Sequence, residues 1–424
     1  MQQIIRRVCL AALLAAGFAS NAAAQKALTW EEVRGRFEAN NPTLLADKVS
    51  IDESKAQQIT AYLRPNPQLT LTADGTQIAP YKGTWAPFRG TYETPGVSYL
   101  HERQHKRELR LESAQKATLI AESTHSDLER TLLFDLRGAF VATLQAKAVV
   151  RLAKENLVYY DNVLDISRTR FSVGDIARID LDRLELQRVQ YESDVQTAEV
   201  NLRTAKIQLL TLLNDRTPIE QFDVVGLFDF DGQLIPQDEF RKIALDTRPD
   251  LKAAVESIDK AQTDHKLAVA NGSTDPILSA WYTHNSSNNN PFGLNTLGVS
   301  VSIPLRIFDR NQGEKLRTQL DIDRNEKLTA AAQALVYSDV DSAYAIVNSN
   351  LLLLQPYKTK YLQQAVRVRD TVAFSYQHGG ASLVDFLNAQ SEYRTVELSY
   401  LNLIGSYLTA AAQLNLAVGR EVLQ

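Results

Sequence analysis

The stretch Ser98-Tyr-Leu-His-Glu-Arg-Gln-His105 contains His101-Glu102-x-x-His105. On a helix, histidines four residues apart share one face. A glutamate beside them can activate a zinc-bound water, which is the chemistry of a zinc peptidase. That chemistry needs both histidines on one regular helix, a third ligand and a substrate cleft. Aligning Gly96-Val-Ser98 with Gly298-Val-Ser300 sets His101–His105 opposite Ile303–Ile307, where a strand ends and a long helix begins. The first histidine then belongs to the strand, and no third ligand is indicated. Polar residues at a junction between elements are the plainer reading, and a zinc hydrolase stays a distant alternative.

The other histidines, His125, His265, His284 and His378, are scattered and read as surface or packing residues. The only cysteine is Cys9 and the only methionine Met1, so the chain beyond residue 24 offers no sulfur ligand and no disulfide. No phosphate-cradling glycine loop and no serine or cysteine nucleophile context is found. The expectation is therefore no catalytic residue, no cofactor and no dedicated metal site.

Asp180 and Asp385 offer different chemistry. Each follows a glycine, Gly174 or Gly379, by six residues and opens a helix. An acidic residue in a first helical turn interacts favourably with the helix dipole, which is the plain explanation. Repeated around a pore axis, the same carboxylates make a ring that admits cations and repels anions. The two readings are compatible. Gly174 and Gly379 themselves end long helices by permitting a left-handed residue.

The elements that position these residues come in two copies. Phe171-Ser-Val-Gly-Asp-Ile-Ala-Arg-Ile-Asp180 matches Tyr376-Gln-His-Gly-Gly-Ala-Ser-Leu-Val-Asp385 at an offset of 205. Behind the first runs Leu181, Leu184, Arg188, Tyr191, Val195, Ala198, Leu202, Ala205, Leu209 and Leu212. Behind the second runs Phe386, Ala389, Tyr393, Val396, Tyr400, Leu403, Tyr407, Ala410, Leu414 and Ala417. Steps of three and four mean coiled-coil packing, and only Arg188 breaks the apolar pattern. No proline occurs between Pro95 and Pro218, and only Pro356 after Pro304. Very long helices are therefore expected from about His105 to Arg170 and from about Arg310 to Ser375, the second kinked at Pro356. Leu128, Leu132, Leu136, Phe140 and Leu144 mark a buried face of the first.

Upstream, Asn41-Pro42 and Arg248-Pro249 each open a helix, and each helix leads to a pair of alternating segments. These are Gln68–Asp74 with Gly96–Leu100, and Ile277–His284 with Leu297–Ile303 across the loop Asn285–Asn295. In the last, Leu297, Val299, Val301 and Ile303 face one side and Gly298, Ser300 and Ser302 the other. The expected organisation is a signal segment over 1–24, a first repeat over 25–214, an equatorial linker over 215–240 and a second repeat over 241–424. Arg6 and Arg7, the apolar Val8–Ala19 and Ala22-Ala23-Ala24 make the secretory signal. No apolar run reaches the length of a spanning helix. With 46 basic against 50 acidic residues, the net charge of −4 argues against nucleic acid as a partner.

Four amphipathic strands of about ten residues suit an outer membrane, where a sheet must close because unpaired backbone groups in lipid are too costly. The smallest such barrels have about eight strands. One chain cannot close one, whereas two or three copies can, so the strands demand an oligomer.

Leu28–Ala46 (LTWEEVRGRFEANNPTLLA), Arg170–Asp180 (RFSVGDIARID) and Ser375–Gln390 (SYQHGGASLVDFLNAQ) together resemble the outer-membrane efflux protein (TolC) family. The likeness covers essentially the whole chain beyond the signal. His101–Arg110 (HERQHKRELR) is similar to the family's heavy-metal (cobalt-zinc-cadmium) branch. The resemblance implies a mainly α fold with membrane β structure. It implies a homotrimer whose twelve-stranded barrel, four strands per chain, continues into a periplasmic α-helical coiled-coil barrel. It further implies a passive efflux duct in the outer membrane, contacting its lipid and working with a periplasmic adaptor and an inner-membrane pump, of RND type for metals. A channel for drug efflux or type I secretion is the alternative within this class, and a soluble coiled-coil adaptor the rival outside it. By the same resemblance Asp180, Asp385 and Tyr376 match the pore gate, where Asn388 stands at a position that can be acidic and Ala381 at one where some members carry a latch arginine. Arg170, Phe171, Ser172, Gly174, Gln377 and Gly379 match the tips that an adaptor meets.

Overall fold

The structure is a computed structural model describing residues 27–230, 232–285 and 294–423. The expected signal segment and most of the loop between the last two strands lie outside the described residues.

The repeat is visible in the element lengths. The first half runs α1 (Trp30–Asn40), α2 (Pro42–Tyr62), β1 (Gln68–Asp74), β2 (Tyr92–Leu100), α3 (Lys106–Ser172) and α4 (Arg178–Leu212). The second runs α5 (Gln237–Thr247), α6 (Pro249–Asn271), β3 (Ile277–Asn285), β4 (Asn295–Ser302), α7 (Gln312–Pro356), a π-helical segment (Tyr357–Tyr361), α8 (Leu362–Gln377) and α9 (Leu383–Val418). α3 has 67 residues and α7 has 45. The π segment begins immediately after Pro356, whose missing N–H interrupts regular α-helical bonding.

Three expectations need correction. Each half carries two helices before its strands, not one. Asn41 and Arg248 adopt extended backbone before a proline, which both ends the preceding helix and starts the next. β2 begins at Tyr92 rather than Gly96. Pro95 stays in the strand opposite Leu71 of β1, while the pairing with β3 skips Thr94 and Pro95. His101 lies just beyond β2, although its N–H still bonds Pro276 O at 2.9 Å.

The chain forms two compact units. One takes its described residues from the spans up to Leu45, Leu128–Thr247 and Tyr337–Gln424. It contains two buried apolar clusters. The first joins Val33 and Phe37 of α1, Leu136, Phe140 and Leu144 of α3, Leu209 of α4, and Phe222 and Val224 of the segment between halves. Asn41 fixes the end of α1 here: its amide donates to Leu212 O, and its side-chain oxygen accepts from Leu44 N. The heptad seams pack as expected, and none of their twenty positions is exposed. Arg188, which breaks the pattern, donates to Asp161 of α3 at 2.5 Å. Its counterpart Tyr393 instead lies under Arg369, whose guanidinium sits 4.1 Å from the ring centre.

The other unit comprises Ala46–Asp127 and Arg248–Val336 and holds one antiparallel sheet of order β1-β2-β3-β4. Its register separates two faces. Leu69, Val97, Ala280 and Val299 form one row of the apolar face, and Tyr99, Leu278 and Val301 another. Gln68, Ser98, Ser279 and Ser300 form a row of the opposite face. On that face Thr94 and Thr283 are 3.1 Å apart through their hydroxyls. The apolar face is uncovered: Leu71 is 75% exposed, Val299 77% and Leu297 80%.

Candidate functional site

The two glycine turns meet in the second buried cluster of the first unit. Gly174 (φ 79°) and Gly379 (φ 75°) end α3 and α8 in the left-handed region. Between the turns lies an apolar plug containing Tyr160 and Leu164 of α3, Leu181 and Leu184 of α4, Tyr376 of α8, and Leu383 and Phe386 of α9. Tyr376 is buried and stacks on Phe386 at 5.0 Å. Its hydroxyl has no hydrogen-bond partner among the described residues. Burial pushes its phenol up, with Arg170 acting in the opposite sense.

Arg170 joins the turns. Its Nε donates to Asp175 at 2.5 Å and its Nη1 to Tyr376 O at 2.9 Å. Its guanidinium also lies 5.3 Å from the Tyr376 ring centre. The side chain is only 16% exposed, so most of it is spent inside the molecule. Phe171 is half-buried at the edge of the plug, with the Arg178 guanidinium 5.7 Å away. Ser172 is exposed and donates to Thr169 O. Gln377 is half-buried, and Asn388 is exposed in the second turn of α9.

Asp180 and Asp385 occupy the same place in their helices but differ in their bonds. Ser382 caps α9: its Oγ accepts from Asp385 N, and the Asp385 carboxylate accepts from Ser382 N and Oγ. The Ser382 hydroxyl, then its backbone N–H, hold the Asp385 carboxyl below its usual range. The N-cap of α4 is Ala177, whose methyl cannot accept a hydrogen bond, and the Asp180 carboxylate makes no hydrogen bond or ion pair among the described residues. Sequence reasoning missed this contrast, although Ser382-x-x-Asp385 was readable as a box. It also missed four exposed apolar residues at the turns: Val173, Ile179, Phe374 and Val384. The offset of 205 relates Ile179 to Val384, which was the available signal.

The His-Glu-x-x-His stretch is not a helical motif. Gln104 and His105 have φ of 59° and 55°, and α3 starts only at Lys106. Glu102 is taken by Arg110, which binds both its oxygens, one of them at 2.5 Å. Lys106 is buried and donates to Asp275 at 2.6 Å and to Ser273 O. Burial alone would raise the Asp275 carboxyl, but Lys106 and the Arg103 N–H outweigh it and hold it low. The segment therefore ties the exit of β2 to the entry of β3. The other histidines have ordinary partners: Asp47 for His125, Thr318 for His265, Asn295 for His284 and Phe374 O for His378. Among the described residues, no three His, Cys, Asp or Glu side chains are grouped to hold a metal ion. No described helix is long and apolar enough to cross a membrane.

The sequence profile described as outer membrane efflux protein matches residues 33–215 and 241–420. The cobalt-zinc-cadmium resistance protein CzcC of Cupriavidus metallidurans is 22% identical over 93% of this chain and 90% of its own. The outer membrane protein TolC of Escherichia coli is 23% identical over 72% of this chain, a match that spans 64% of TolC. Among solved structures, that of CusC, described as forming a transmembrane channel, superposes with a TM-score of 0.78 at 18% identity, covering 92% of each chain.

Proposed function

The chain belongs to the outer membrane efflux protein family, and from that premise we propose that its cargo is heavy-metal cations. The coarser statement stands with the family: it is an outer-membrane efflux channel of tripartite systems, a passive duct and not an enzyme. The end-to-end match to a cobalt-zinc-cadmium resistance protein carries the finer reading. Two acidic residues at the glycine turns agree with it, because carboxylates around a narrow mouth favour cations.

In this reading three copies close a twelve-stranded barrel. The edge strands β1 and β4, each with one side unpaired within the chain, join between copies. The apolar face meets outer-membrane lipid and the hydroxyl-bearing face lines the water-filled lumen. Asp180 and Asp385 set cation preference at the periplasmic mouth, with Asn388 one turn further into α9. Tyr376 supports the gate from inside the plug. Gly174, Gly379, Phe171, Ser172 and Gln377 form the surface that a periplasmic adaptor meets, and Arg170 holds that surface together. An inner-membrane pump of RND type supplies the energy.

A strain lacking the protein tests the cargo. Restored growth on zinc, cobalt or cadmium after complementation supports the metal reading. Restored tolerance to drugs alone replaces it with drug efflux, the reading that the TolC relative keeps in view.

A further inference from the structure

Of the three tryptophans, Trp281 alone lies in a strand. Its cross-strand partners on both sides are glycines, Gly96 of β2 and Gly298 of β4. A Cβ on Gly298 would lie 2.3 Å from the indole Cε2 and 2.6 Å from Nε1. A Cβ on Gly96 would lie 3.1 Å from the Trp281 Cβ. The indole is therefore laid across β4, over a spot that only glycine leaves free. The rows flanking it carry Ser98, Ser279 and Ser300 on one side and Thr283 and Thr296 on the other. Trp281 thus sits on the hydroxyl-bearing face. A tryptophan that anchors a barrel in lipid belongs on the opposite face, with Leu69, Val299 and Leu297. The ring is half-buried, with its remaining surface on the polar side.

We propose that Trp281 presents its indole to the lumen as a station on the export path, holding cationic cargo by cation–π attraction. The indole is the aromatic side chain best suited to this contact. Serine hydroxyls in the adjacent row supply oxygen partners for water carried with the cation. Gly96 and Gly298 keep the ring against the wall, so the station binds without closing the lumen. The proposal rests on the channel reading above.

The test uses the full chain with Trp30→Phe and Trp85→Phe, so that fluorescence reports Trp281 alone. In vesicles of bromine-labelled phospholipid, emission is expected to stay unquenched, while acrylamide in the water quenches it. The organic cation tetraphenylphosphonium is expected to quench it saturably and to block conductance. Trp281→Ala should weaken that block about fivefold and Trp281→Phe less. Quenching by the brominated lipid, or equal block in Trp281→Ala, overturns the station. A control in a tryptophan-free background carries Val299→Trp on the apolar face and should be quenched by brominated lipid. If it is not, the sheet is not in lipid, and the channel reading falls together with the station.

Discussion

The two glycine turns share a sequence pattern and differ in how they are held. At the second, Ser382 and Asp385 satisfy each other's backbone N–H groups, and Phe386 stacks on Tyr376. At the first, Ala177 offers no side-chain cap, the Asp180 carboxylate has no hydrogen-bond partner among the described residues, and the counterpart of Phe386 is Leu181. One bond pattern crosses between them: Arg170 of the first reaches Tyr376 O of the second. A matched position is therefore not a matched role. Asp385 works as a cap within its own helix, whereas the Asp180 carboxylate makes no such bond among the described residues. The second turn is the built one, and the first is tied to it.

The largest break in this comparison is Phe386→Ala, which removes a fully buried ring and should destabilise the unit by about 3–5 kcal/mol in chemical denaturation. Leu181→Ala, at the matching position, should cost less because no ring stacks on it. Arg170→Ala follows, at about 1.5–3 kcal/mol for hydrogen bonds from a charged group. Amide exchange should then quicken at both turns, although the substitution lies in one. Smaller again, Ser382→Ala should cost about 1 kcal/mol of helix stability, while Ala177→Ser, which completes a box with Asp180, should gain a few tenths. Ala177→Ser should also lower cation selectivity if the free Asp180 carboxylate sets it. The cap at α9 carries a pH signature. The Asp385 carboxyl is held below its unfolded value, so its contribution is present above that value and is lost as pH falls through the folded one. Amide exchange at the start of α9 should rise in acid below the usual carboxylate range. Least discriminating are Gly174→Ala and Gly379→Ala. Both glycines have positive φ and open space, so each should cost about 1 kcal/mol alike.

Much of this was legible in the sequence because it is periodic. Alternation located β1 at Gln68–Asp74, and steps of three and four located the seams. The glycines marked the turns because only φ above zero closes them cheaply. What stayed hidden is non-local or rests on one atom. Arg170 and Tyr376 are 206 residues apart and nothing local links them. Asp180 and Asp385 looked alike because the difference lies three residues earlier, in Ala177 against Ser382. Pro95 fell outside the expected Gly96–Leu100 segment, yet a strand accepts it where the ladder to β3 is already interrupted. Trp281 had no visible meaning until the register set glycines on both sides of it.

The central claim is that copies of this chain close their sheets in lipid around a shared aqueous lumen. Detergent-extracted, folded protein added to a planar bilayer tests it most directly. Discrete conductance steps with a reversal potential favouring cations are the expected result. Folded protein that enters the bilayer and carries no ionic current would contradict it, whereas steps carried chiefly by anions would contradict only the cation reading of the acidic turns.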